Sequence, residues 1–101
     1  MGLDNSSEFN DVMGEGYISG PVSVTTIEIE AKVGGARLAG REALTITNKG
    51  TAKVYYGPTG VTSTTGDVLE KDQFVSLPMG DIGVFVITAS GTATVIVQEM
   101  A

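Results

Sequence analysis

Between Leu44 and Glu99 the chain runs in short apolar-polar alternations broken by glycine-containing turns, which leaves little room for anything but β-structure. LTITNKGTAKVYYG and VFVITASGTATVIVQE each contain two alternating runs split by a polar, Gly-bearing segment, the pattern of a β-hairpin. β-Branched residues dominate and glycine occurs 14 times, so helix beyond a turn or two is disfavoured. A chain of 101 residues supplies one core and not a second, and 42% hydrophobic with 18% charged residues is the balance of a folded globular domain.

The remaining segments extend the same pattern. In VSVTTIEIEAKV, Ile27, Ile29 and Ala31 face one way and Glu28, Glu30 and Lys32 the other, as in a half-buried strand with a wet outer face. VGGARLAGREA then reads as a wide loop, with Gly34, Gly35 and Gly40 giving it freedom to present Arg37 and Arg41. Leu44 and Ile46 alternate with Thr45 and Thr47 up to a turn at Asn48-Lys49-Gly50-Thr51, and Val54-Tyr55-Tyr56 returns until Pro58 stops it. Phe74, Val75 and Leu77 form a strand ended by Pro78. The continuous run Val84 to Ile87 suggests a central strand buried on both faces, and Ser90-Gly91-Thr92 turns it into Ala93, Val95 and Val97. The expected fold is all-β: a single β-sandwich or jelly-roll-like barrel of seven to eight short antiparallel strands over residues 21–101, preceded by an extended N-terminal arm over 1–20.

Charge and residue types narrow the function. A net charge of -6 argues against nucleic acid as a partner, because phosphate neutralisation needs clustered Lys and Arg. No apolar run approaches the roughly 20 residues that cross a bilayer, and the start lacks a signal-peptide pattern, so no membrane partner is expected and synthesis is placed in the cytoplasm. The chain has no His, Cys or Trp, which removes disulfides and thiolate-metal sites. Asp67, Glu70 and Asp72 are close in sequence, but their spacing is not that of an EF-hand and they read as solvated loop carboxylates. No catalytic residue, metal or cofactor is therefore expected, and the chain does not read as an enzyme. Tyr55 and Tyr56 point to opposite faces of one strand; one fills the core, and the other, outward, could cover a neighbouring strand or stack on a sugar.

Contact is the remaining expectation. The first twenty residues carry Asp4, Glu8, Asp11 and Glu15 and no basic residue, while all six Lys and Arg lie in the middle of the chain. Leu3, Phe9, Val12, Met13, Tyr17 and Ile18 give this arm more apolar material than a solvated tail needs, so it is expected to dock on the body or on other subunits. Arg37 and Arg41 join them as interface candidates, since a displayed guanidinium makes bidentate contacts with a neighbour's carboxylates.

One group of known proteins shares these motifs. The chain has L-x-G-R-x-x-L from Leu38 to Leu44, N-x-G from Asn48 to Gly50, VYxG…VT…G from Val54 to Gly66 and ASGTATV from Ala89 to Val95. In these it resembles small β-domain structural proteins of tailed bacteriophages, over roughly two thirds of its length; residues 1–20 have no counterpart. The resemblance implies a virion component made in the host cytoplasm, first a capsid decoration (cement) protein that bridges neighbouring major capsid subunits. A head-tail connector, a tail or baseplate accessory protein, and a glycan-binding module on the virion surface are the alternatives. The implied partner is the major capsid protein, with homo-oligomers expected and a trimer one option.

Overall fold

A computed structural model describes residues 16–101. Eight strands follow one another: β1 (Tyr17–Val24), β2 (Ile29–Glu30), β3 (Ala43–Asn48), β4 (Val54–Gly57), β5 (Asp67–Leu69), β6 (Phe74–Leu77), β7 (Phe85–Thr88) and β8 (Ala93–Met100). Their pairing is nested. β1 lies antiparallel to β8, β2 to β7, β3 to β6 and β4 to β5, as though one long hairpin had been rolled up. Further ladders between β3 and β8 and between β4 and β7 join these pairs into two four-stranded sheets, β1-β8-β3-β6 and β2-β7-β4-β5. That is the strand order of a jelly roll, the all-β sandwich expected from the sequence.

Val22, Val24, Leu44, Ile46, Val95 and Val97 from the first sheet meet Val54, Leu69 and Val86 from the second in one core. Full burial of each such side chain is worth about 1.5–3 kcal/mol.

The two expected hairpins are not hairpins. β3 and β4 belong to opposite sheets, and so do β7 and β8; among consecutive strands only β4 and β5 pair. In a sandwich every strand shows one face to the shared core whichever sheet it joins, so alternation reads the same for a hairpin and for an arch between sheets. The arch at 49–53 is fixed by Asn48, which is fully buried. Its Nδ2 donates to the carbonyls of Ala52 and Leu69, both at 2.9 Å, and its Oδ1 accepts the Gly50 N–H at 2.8 Å. Gly50 lies so close to the second arch that an added Cβ would sit 2.7 Å from the Ala93 Cβ.

Three further expectations change. β7 is central in its sheet but buried on one face only: Val86 and Thr88 are inside, Phe85 and Ile87 half-buried outside. Ile27 and Ile29 are not buried, being 76% and 43% exposed, although Ile29 lies opposite the buried Val86. Thr88 N–H donates to the Thr25 carbonyl and Ala31 N–H to that of Val84, so the edge strand carries two extra residues between these bonds and bulges outward. Residues 17–20, expected within the arm, are the first half of β1, and residues 1–15 lie outside the described ones.

Pro21 stands in the middle of β1, opposite Ile96. Ala101 N–H donates to the Gly16 carbonyl at 2.8 Å, which sets the phase: residues 18, 20, 22 and 24 turn their backbone groups to β8, and 17, 19, 21 and 23 turn theirs outward. The proline's missing N–H thus falls on the free edge, where it removes a donor and leaves the ladder intact.

At the entry to β6 the backbone of Asp72 is left-handed, with φ +66°. Asp72 N–H donates to the Asn48 carbonyl at 2.7 Å and Asn48 N–H to the Gln73 carbonyl at 2.9 Å, the bonding of a bulge whose first position favours glycine. Asp72→Gly is expected to raise stability by roughly 0.5 kcal/mol. The corresponding rise in melting temperature is about 2–4 °C, and Asp72→Val should lower it; thermal unfolding checks both.

Candidate functional site

Along β8 the inward positions run Ala93, Val95, Val97 and then Glu99, a fully buried carboxylate in the place of a fourth apolar residue. It lies opposite Ile18 on one side and Leu44 on the other. Its solvation is replaced group by group. Oε1 accepts the Val33 N–H at 3.0 Å; Oε2 accepts the Leu38 N–H at 3.2 Å and Nη1 of Arg41 at 2.8 Å. Arg41, also buried, spends its other donors on carbonyls: Nε on Gly80 at 3.0 Å and Nη2 on Ile82 at 2.9 Å. One ion pair thereby ties the 31–42 loop and the 78–84 loop to the last strand. No buried side-chain nitrogen or oxygen among the described residues lacks a partner.

The loop expected to display both arginines therefore turns one of them inward. Arg41 is out of reach of a neighbouring subunit in this fold, since its side chain is buried and Nε, Nη1 and Nη2 each donate within the chain. Arg37 stays at the surface, where its Nε donates to Glu30 Oε2 and its Nη1 to the carbonyl and carboxylate of Asp81. Hydrogen bonding to Glu30, partly offset by desolvation, raises the Arg37 pKa above its ordinary value. Lys32 approaches the same Glu30 at 3.6 Å.

The arm candidates divide. Leu3, Phe9, Val12 and Met13 lie outside the described residues. Tyr17, 48% exposed, faces outward from β1 and its hydroxyl accepts Gln98 Nε2 at 2.6 Å. Ile18, half-buried, turns inward toward Glu99. The buried Glu99 was not singled out by the sequence, although the signal is there: a carboxylate continuing an inward valine series must be buried or must end the strand.

Tyr55 and Tyr56 do take opposite faces. Tyr55 pairs with Val68 and with Ile87 in an outward apolar row. Tyr56 follows Val54 inward and stands between two surface clefts on the side of the sandwich where β5 and β6 are the sheet edges. The first, about 400 Å³, is lined by Tyr56, Pro58, Asp67, Leu77, Met79 and Ile82 among others. The second, about 470 Å³, is lined by Tyr56, Val68, Asp72, Phe74 and Val75 among others. Burial, and then the charge of Asp67, raise the Tyr56 pKa above the ordinary phenol value. Asp67, Glu70 and Asp72 are exposed, and no group of three or more acidic side chains among the described residues is placed to hold a metal ion.

No family model matches the chain, and no curated protein matches it. Among solved structures it is similar to a protein of Bacillus endospore appendages, described as forming a novel family of disulfide-linked pili. The identity is 10% and the TM-score 0.36, over 83% of this chain and 84% of that one. Nothing about function follows from a likeness at that level.

Two outcomes are expected of this region. Removing one partner of the buried pair, as in Arg41→Met, should cost about 3–5 kcal/mol in urea unfolding. The double variant Arg41→Met/Glu99→Leu should recover little, because the Val33 and Leu38 amides and the Gly80 and Ile82 carbonyls then lose their partners as well. The phenol of Tyr56 should titrate above the free tyrosine value in absorbance at high pH, and Asp67→Asn should bring it down. Because folding favours the neutral phenol, this contribution is complete below the unfolded pKa of about 10 and is lost as pH rises from there through the folded value.

Proposed function

We infer that this chain is a contact-making structural protein of a tailed-phage virion, a capsid decoration protein that bridges neighbouring major capsid subunits. The observation that carries the reading is how the side chains are divided between inside and outside. The buried charged groups, Arg41 and Glu99, are consumed in holding loops still, while Tyr17, Ile27, Ile29, Val68, Phe74 and Ile82 are large apolar groups left between 43% and 76% exposed. A rigid block with apolar groups on several rims is suited to touching more than one neighbour, and weak contacts repeated over a symmetric shell add up to a large resistance to disassembly. The motifs shared with phage structural proteins support the same reading; they fall on residues 38–44, on the two arches, and on β4 with the loop that follows it. Jelly rolls also serve in viral shells, a likeness of architecture only.

The test uses the purified full chain and expanded heads of a tailed phage that carries its gene. Co-sedimentation should saturate at a simple ratio to capsid subunits, and virions labelled on this protein should image as a shell. A single spot at the tail, or no binding to heads, overturns the reading.

A further inference from the structure

Four strand edges bound the two sheets, and three of them are blunted in the described residues. β1 carries Pro21 on its free side. β2 pairs over two residues and is flanked by Glu28, Glu30 and Lys32. β5 pairs over three, and beyond Val68 its next outward residue, Glu70, is already engaged: its N–H donates to Gln73 Oε1 at 2.8 Å and its carbonyl accepts the Gln73 N–H at 2.9 Å. β6 is the most open of the four: its one such device, Pro78, stands just beyond its last paired residue. The Asn48 N–H to Gln73 carbonyl bond sets its phase, so Val75 and Leu77 turn their backbone groups to β3, while Phe74 and Ser76 each present an N–H and a C=O outward. No described strand pairs there. Unpaired N–H and C=O groups beside apolar surface are a ready template for another strand. The two clefts that share Tyr56 lie on this same side, and Phe74 is 67% exposed.

We propose that the free edge of β6 and its flanking clefts receive an extended strand of a partner protein, apolar at alternate positions and carrying Lys or Arg at its ends. Backbone pairing to Phe74 and Ser76 supplies the attachment, and the clefts beside Tyr56 take the alternate side chains. The sign of the flanks follows from the lining: its charged residues are Asp67 and Asp72, and neither cleft is lined by Lys or Arg. That sign disfavours the chain's own residues 1–15, which carry Asp4, Glu8, Asp11 and Glu15 without a basic residue. It also disfavours a second copy, whose β6 edge has the same acidic surroundings. The surface goes beyond the capsid reading and stands whatever particle the chain belongs to.

The probe is a nonapeptide of alternating valine and threonine with two lysines at each end, added to the isotope-labelled full chain. Amide exchange of Phe74 and Ser76 should slow at least about tenfold, and the effect should weaken with salt. A glutamate-ended peptide should slow neither, and Asp67→Lys should exchange the two peptides' ranks. Ser76→Pro removes an edge donor without touching the β3 ladder and should abolish the effect; if that variant does not fold, Asp67→Lys decides alone. Exchange unchanged by the lysine-ended peptide overturns the proposal, as does equal slowing by the glutamate-ended one. Slowing by a peptide of residues 1–15, or by raising the protein concentration alone, puts this chain's own segment or a second copy at the edge and also overturns it.

Discussion

The fold turns on one carboxylate in the wrong place. An ionised side chain taken out of water is unfavourable by several kcal/mol unless its oxygens are fully partnered. Glu99, at the inward end of β8, meets that condition through two loop amides and the Arg41 guanidinium. Arg41 in turn needs the Gly80 and Ile82 carbonyls. Loops that share no ladder are thus held to a single geometry by electrostatic necessity, at the end of the sandwich where apolar packing thins out. Well-packed apolar residues can match a buried pair in stability, but they would not specify where four separate backbone groups must lie.

The opposite end is organised by a neutral version of the same device. Asn48 is as buried as Glu99, and its amide connects the 49–53 arch to β5 through Ala52, Leu69 and Gly50. Two buried polar side chains, one at each end of the first sheet, fix how the chain passes between layers while the valine-rich core supplies the bulk of the driving force.

How much of this was legible in the sequence follows from what alternation encodes. Period-two patterning records which residues face a core, so the all-β class, most strands and the opposed faces of Tyr55 and Tyr56 were readable. It does not record which sheet a strand joins, so the segments around Asn48-Lys49-Gly50 and Ser90-Gly91-Thr92 read as hairpins although both are arches. Ile27 and Ile29 misled for a related reason: alternation does not tell an edge strand from a central one, and nothing in TTIEIE marks the two extra residues that lift this edge away from β7. Arg41 was visible as a candidate, but its role depends on Glu99, 58 residues away in sequence, and only the β3–β8 register brings the two together.

That register also sets the order in which the molecule can be made. The first strand pairs with the last, and the third lies between the sixth and the eighth. During synthesis β1 and β3 therefore leave the ribosome without the β8 strand that belongs between them, and the first sheet stays open until residue 100 has emerged. Only the β4–β5 pair is local enough to form early. Such long-range closure is slow, and an unfinished sheet is adhesive. The proline on β1 acts during this interval as well, guarding the strand that waits longest for its mate.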